Sequence, residues 1–268
     1  MNEHLKHFQN EIKGKKVALL GMGISNRAAV DFLLSAGAVL SARDQNPNPS
    51  EEIKEFLTSR GVKMIYGADY LSDITEDIVF KSPGIRFDIP ALSEAAQRGV
   101  KITSEMEVFL SLCPCKIFAV TGSDGKTTTT TLISEMLKRK AEKSGCRVYL
   151  GGNIGTPLLP FLREMRPSDF AVLELSSFQL HTMQASPVSA VVTNVTPNHL
   201  NWHTDMDEYI EAKKTVFTYI REGGVLVTNI GNDITGNFGN EAKSNNVKTR
   251  MFSVKNNSGN LHMTGDTI

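Results

Sequence analysis

The chain has 268 residues, and its 29 Lys+Arg are balanced by 29 Asp+Glu for a formal net charge of zero. That length accommodates two domains of ordinary size, while the neutral balance excludes a general polyanion binder such as a nucleic-acid protein, whose mark is a basic excess. Three cysteines do not make a disulfide framework, no apolar run approaches the ~20 residues of a membrane span, and MNEHLKHFQNEIKGKK lacks a signal-peptide core, so a soluble protein of the reducing cytoplasm is expected.

In chain order, KKVALL reads as a short strand ending in glycine. NRAAVDFLLSAG follows with Ala28, Phe32 and Leu33 at helical spacing and Gly37 as the stop. AVLSARD is a second strand. PSEEIKEFLTSRG offers Ser50 as N-cap, an acidic first turn and a terminal glycine, and leads into the strand VKMIYG. DIVFKSPG and VKITSE are further strands around the helix IPALSEAAQRG. This βαβ rhythm predicts a parallel sheet. It restarts after Cys113-Pro-Cys115, two thiols without metal-ligand spacing to which no function is assigned. KIFAVT, CRVYLGG, DFAVLEL and VSAVVTNV are apolar runs of the kind that parallel sheets bury on both faces. Long helical patterns lie at KTTTTTLISEMLKRKAEKSG and MDEYIEAKKTVFTYI. Beyond GGVLVTN the chain turns rich in Asn and Gly, with room for two short strands, around 248–254 and 260–264, and no helix-length apolar pattern after them. The expected architecture is α/β: a Rossmann-like parallel-sheet domain over residues 1–113, then a P-loop-type ATPase α/β domain over 114–268 that is incomplete at its C-terminal end.

Two turns point to phosphate chemistry. GMGISN, Gly21 to Asn26, joins a strand to a helix, where parallel sheets bind phosphates at a helix N-terminus. The dinucleotide fingerprint wants a third glycine where Asn26 stands, which lowers the odds of NAD. Asp44 ends the second strand, where such folds place an acid that reads a ribose or base, and Ser82-Pro83-Gly84 falls at the ligand-binding edge. The second turn, TGSDGKTT, is shorter than the common phosphate loop, since Val120 occupies the place of its first glycine. Gly122 and Gly125 nonetheless let backbone N–H groups turn toward a ligand, Lys126 reaches phosphate oxygens, and the Thr127 hydroxyl suits Mg²⁺. Five consecutive threonines are poor helix formers, so local propensity does not account for them. Glu174 and His199 follow later strands, and a carboxylate at such a place is costly to bury unless paired or metal-bound. By spacing alone, Lys213 and Lys214 read as ordinary solvated helix charges.

GMGISN, SPGI, TGSDGKTT, GGNIGTP, ELSSFQL, TNVTPNHLNWH and EAKK together resemble the Mur ligase family, with SPGI and ELSSFQL favouring its D-glutamate-adding branch. The resemblance implies ATP-dependent amide bond formation, joining D-glutamate to UDP-N-acetylmuramoyl-L-alanine through an acyl phosphate in peptidoglycan synthesis, by a monomer. It implies that Gly122, Ser123, Asp124, Gly125, Lys126, Thr127 and Thr128 hold ATP. Thr127 and Glu174 would bind one Mg²⁺ and His199 another, and Lys213 would serve as a carbamate facing metal. Lys126, Glu174, His199 and Lys213 are then the catalytic set. Asn153, Ser176 and Gln179 would face the muramoyl-alanine part, and Ile24, Ser25, Asp44 and Gly84 the UDP part. The family loop usually carries Asn where Asp124 stands, and DQN replaces the Thr and Arg that follow the acid in some relatives. Family members continue into a third, glutamate-presenting domain, so this chain is expected not to complete the ligation alone. Two other readings compete: an NAD-dependent oxidoreductase using GMGISN, which leaves Lys126 unexplained, and a noncatalytic UDP-sugar or nucleotide-binding module.

Overall fold

The computed structural model describes residues 3–220, 222–253 and 261–262, and in it the chain forms two compact units. Unit one comprises residues 1–112 together with the single turn Leu159–Arg163, and unit two the remainder. Among the described residues, no helix is long and apolar enough to cross a membrane.

Unit one runs α1 (Glu3–Ile12), β1 (Lys16–Leu20), α2 (Ile24–Ser35), β2 (Val39–Asp44), α3 (Glu51–Thr58), β3 (Lys63–Tyr66), β4 (Ile78–Lys81), α4 (Pro90–Gln97), β5 (Lys101–Thr103) and α5 (Glu105–Leu112). Its five strands are parallel in the order β3-β2-β1-β4-β5. The order reverses beside β1, so the loop after β1 opens at the topological switch point. Unit two runs β6 (Lys116–Thr121), α6 (Lys126–Glu142), β7 (Val148–Gly152), β8 (Phe170–Glu174), α7 (Ser177–Leu180), β9 (Ser189–Val192), α8 (Met206–Thr218), β10 (Val225–Asn229), α9 (Asp233–Ser244), β11 (Lys248–Ser253) and β12 (Leu261–His262). Its seven strands are parallel in the order β12-β11-β10-β9-β6-β8-β7, which places β6 between β8 and β9. The expected α/β architecture of parallel sheets is therefore present, and the strands read from sequence lie within three residues of their expected bounds up to β8, the widest gap being at the end of β4. β9 stops short, at Val192. Thr193 and Asn194 leave the ladder to hold the loop after β6, and Val195 pairs with the Asn232 side chain.

Four helices lie where the sequence reading placed none, the shortest of them α7. α1 buries Leu5 and Ile12, and Phe8 stacks on Phe32 of α2 at 5.9 Å. α5 is apolar and buried over most of its length, so it carries no clear amphipathic period. α9 hides its apolar stripe in small residues: Thr235, Phe238, Gly239 and Ala242 are its buried positions, at spacings of three, four and seven. Gly239 lies against Met251 and Thr228, and Asn232 caps the helix by accepting the Thr235 N–H. Asn and Gly are poor helix formers, so capping and burial against β10 and β11 decide this segment. Of the two late strands expected, the first is β11; Val254, Asn260, Met263 and Thr264 lie outside the described residues.

Candidate functional site

In unit one, the turn after β1 is fixed from three sides. The Gly21 N–H donates to Arg43 O (2.7 Å), the Met22 N–H to Asp44 Oδ2 (2.7 Å), and the Ser82 hydroxyl to Gly21 O (2.8 Å). Asp44 Oδ1 also accepts the Asn46 N–H (2.9 Å), so both oxygens of the acid expected to read a ligand already receive backbone donors. Asn26 is fully buried and donates through Nδ2 to Leu20 O, Gly21 O and Phe80 O at 2.9–3.1 Å. Where a dinucleotide fold uses glycine to bring helix and strand close, this chain ties β1 to β4 with an amide. Ile24 is exposed in the first turn of α2, beside half-buried Ser25, and Gly84 is exposed in the loop after β4. The α2 N-terminus has no side-chain cap, since its N-cap is Gly23. Asn26→Gly is expected to remove this tie and lower the stability of unit one by about 0.5–1.5 kcal/mol for each bond lost, since Leu20 O and Gly21 O keep donors from Ser82. A denaturation midpoint unchanged within error would show that the carbonyls find other partners.

In unit two, the loop after β6 is built around a close approach. A Cβ on Gly122 would collide with the Thr193 hydroxyl and the Asn194 carbonyl, and Gly125 enters α6 with a left-handed φ of 74°. The Ser123 N–H donates to Asn194 O (2.9 Å), the Asp124 N–H to Asn194 Oδ1 (2.9 Å), and the Thr193 hydroxyl to Asp124 O (2.6 Å). The Ser123 hydroxyl accepts the Thr196 N–H and donates to Thr196 O, each at 2.9 Å, and Tyr209 Oη lies 2.9 Å away as a further donor. Sequence reasoning gave Thr193, Asn194 and Tyr209 no role. The available signal was short polar residues at a strand end neighbouring the glycine loop.

The expected site residues of this unit gather at the C-terminal edge of the sheet. Lys126 folds back so that Nζ donates to Ser123 O (2.9 Å). Thr127 Oγ1 donates to Glu174 Oε2 (2.7 Å), and Asn153 Nδ2 donates to Glu174 Oε1 (2.9 Å), so the buried carboxylate joins α6 to the end of β7. Thr130 is buried and donates to Lys126 O (2.8 Å), whereas Thr128 faces solvent. Two threonines of the run are thus accounted for by bonds and a third by its exposure. His199 stands exposed with a left-handed φ of 55°, edge-on to Phe178 at 4.9 Å. Partial burial, then the charges of Lys126 and Lys213, push its imidazole below the usual histidine range, which favours the neutral, metal-ligating form. Ser176 and Gln179 engage each other in the capping box that starts α7: the Gln179 N–H donates to Ser176 Oγ, and the Ser176 N–H donates to Gln179 Oε1 (3.0 Å). Ile24, Ser25, Asp44 and Gly84 belong to the other unit.

Lys213 overturns the reading from spacing. It is 1% exposed, donates to Gly122 O (2.9 Å) and sits 4.6 Å from the Tyr209 ring centre. Burial, reinforced by Lys126 and opposed by Asp124, pushes its amine down to about 7. Its neighbour Lys214 is the ordinary charge, paired with Glu211 and Glu241 at 2.8 and 2.9 Å.

The fold and these contacts define a phosphate-loop α/β unit joined to a Rossmann-like unit. The chain matches the Mur ligase middle domain over residues 120–267 and the Mur ligase MurD-like N-terminal domain over residues 15–104, and it belongs to the Mur ligase family. It is 48% identical over 257 residues to the UDP-N-acetylmuramoylalanine--D-glutamate ligase of Clostridium kluyveri, covering 95% of this chain and 55% of that protein. With the ligase of the same name from Acetivibrio thermocellus it shares 49% over 253 residues, 92% of this chain and 53% of the relative. The chain thus spans about half the length of the curated relatives it matches. Among solved structures, it resembles UDP-N-acetylmuramate:L-alanyl-gamma-D-glutamyl-meso-diaminopimelate ligase from Neisseria meningitides, with a TM-score of 0.57 at 17% identity over 92% of this chain and 82% of that one. It also resembles the UDP-N-acetylmuramate-alanine ligase MurC of Thermotoga maritima, with a TM-score of 0.52 at 24% identity over 90% and 53%. At those identities the two structures speak for the fold alone.

Proposed function

We propose that this chain carries the nucleotide-precursor and ATP sites of a ligase that joins D-glutamate to UDP-N-acetylmuramoyl-L-alanine, with ATP consumed. The observation that carries the reading is the convergence of Lys126, Thr127, Glu174, His199 and Lys213 on one short phosphate loop, in a chain about half identical to ligases of that name. The division of labour follows the two domains read from sequence, residues 1–113 taking the UDP part and 114–268 the ATP.

A carboxylate is a poor acyl donor, so the alanine carboxylate first attacks the γ-phosphorus of ATP and ADP leaves. The amine of D-glutamate then attacks the acyl phosphate and displaces inorganic phosphate. Lys126 offsets the repulsion between the anions by swinging from Ser123 O to the phosphate oxygens. The backbone N–H groups at the start of α6 receive the phosphates, as helix N-termini do. Asn153, with Ser176 and Gln179 at the start of α7, lines the approach of the muramoyl-alanine part. Ile24, Ser25, Asp44 and Gly84 do the same for uridine and diphosphate.

The donor set suits Mg²⁺. Glu174 and Thr127 supply hard oxygens at the helix start, and the neutral imidazole of His199 stands near two cations that an anionic ligand would quiet. Bound Mg²⁺ would neutralise phosphate charge and polarise the γ-phosphoryl group. The carbamate assignment for Lys213 rests on a buried amine, brought down to about 7, that has a substantial neutral fraction at neutral pH and no salt-bridge partner among the described residues, since only the neutral amine attacks CO₂. Calorimetric titration tests the reading: Mg-ATP and UDP-N-acetylmuramoyl-L-alanine are each expected to bind the chain at one site. Binding of the uridine nucleotide without ATP would favour the noncatalytic module. For Lys213, ¹³C-bicarbonate is expected to give a carbamate resonance that disappears in Lys213→Met.

A further inference from the structure

Three side chains that take no part in the chemistry above meet where α7 joins the first turn of α8. His181, at the end of α7, brings Nε2 to 2.9 Å from Glu208 Oε1. His203 brings Nδ1 to 3.4 Å from Oε2 of the same carboxylate. One ligand atom from each residue lies within 4.8 Å of the other two. Four-coordinate zinc sites hold their ligand atoms about 2.0–2.2 Å from the ion and so roughly 3.4 Å from one another, a spacing these atoms reach when the 2.9 Å contact opens and the wider separation closes.

The surroundings are those of a built site. His203 is 2% exposed, and its second nitrogen, Nε2, lies 3.0 Å from the hydroxyl of buried Ser177, the outer contact by which metal-binding imidazoles are oriented. Phe178 stacks on the His203 ring at 5.8 Å, Tyr209 meets it edge-on at 5.2 Å, and Trp202 lies edge-on to His181 at 5.3 Å. Glu208 Oε2 also accepts the Thr204 N–H (2.6 Å), which fixes the carboxylate at the start of α8. The Glu208 side chain is 19% exposed, enough for an ion to enter and for water to complete its shell.

We propose that His181, His203 and Glu208 bind a divalent cation of the zinc class, at a site distinct from the oxygen set of Thr127 and Glu174. Two imidazole nitrogens and one carboxylate oxygen are the donors of zinc and its first-row neighbours, whereas Mg²⁺ prefers oxygen throughout. Both imidazoles ligate as neutral bases, so any proton on His181 Nε2 or His203 Nδ1 passes to solvent on binding. The ion would join α7 to α8. The His203 N–H donates to His199 O (3.0 Å) and α8 carries Lys213, so the same ion would steady both residues.

Cobalt titration of metal-free protein in excess Mg²⁺ tests the site. The expected result is a visible absorption band saturating at one equivalent of Co²⁺, bleached by Zn²⁺, with quenching of Trp202 and a zinc-dependent rise in Tm. His181→Asn and Glu208→Gln, which retain hydrogen-bonding capacity, are expected to lose at least about tenfold in affinity, the range found for altered ligand shells, with unchanged circular dichroism. His199→Ala is expected to keep the band. The proposal is overturned if wild type shows no stoichiometric band, as for a carboxylate that merely pairs with two imidazolium rings. It is equally overturned if His181→Asn binds Co²⁺ as tightly as wild type, or if His199→Ala abolishes the signal.

Discussion

Lys126→Ala is expected to weaken Mg-ATP binding by about tenfold to a hundredfold while leaving the affinity for the uridine nucleotide unchanged. Among the described residues the lysine's ammonium donates to Ser123 O, within its own loop, so truncating the side chain leaves the fold of the loop to the Asn194 and Thr193 contacts. What is lost is the charge-assisted bond to phosphate, worth about 1.5–3 kcal/mol, and each 1.4 kcal/mol is about tenfold in affinity. Paired titrations of ATP and of UDP-N-acetylmuramoyl-L-alanine read the two units separately. Equal loss of both ligands would mean a folding defect, and undiminished ATP binding would remove Lys126 from the phosphate site.

Lys213→Met is expected to stabilise unit two in CO₂-free buffer at neutral pH by about 1–4 kcal/mol, on the scale of the gain when buried ion pairs give way to apolar side chains of similar volume. The wild-type amine is held at about 7 by burial, against about 10.4 for an unfolded lysine. Between those values the unfolded chain binds more protons than the native one, so wild-type stability rises with pH across that window. The Met variant is expected to lose that slope. Trp202, the single tryptophan, lies in this unit and reports its unfolding directly. A Met variant less stable than wild type at pH 7, or one that keeps the slope, would show that the native Lys213 is not a buried ammonium in search of a partner. A stabilised Met variant without the slope would mean that the residue is kept at a cost in stability, as expected where a buried amine serves chemistry rather than folding.

The phosphate loop also refines the departure at Asp124. Its backbone is held by Asn194 and Thr193, so an aspartate in place of the usual asparagine leaves the loop's geometry to those neighbours. Its carboxylate raises the Lys213 amine against the effect of burial. Asp124 therefore acts on the charge around Lys213 and, under the proposed function, would act on the phosphates of ATP.

Much of this protein was legible in its sequence. Apolar runs ending in Gly-x-Gly or Thr-Gly-x-x-Gly-Lys-Thr announced parallel strands feeding phosphate-type turns, because such strands are buried on both faces and such turns need glycine at fixed places. Those local constraints determined the α/β class, the loop, and the candidate roles of Lys126, Thr127, Glu174 and His199. Tertiary structure decided what depends on distant partners. α9 forms because Asn232 caps it and β10 and β11 bury its small residues, against its own propensity. Asn26 substitutes for a glycine by reaching Phe80 O, 54 positions away. Lys213 looks like any helix-surface lysine until α8 lies against the loop and closes water out, and a one-dimensional pattern records spacing along a helix but not which face another segment will cover.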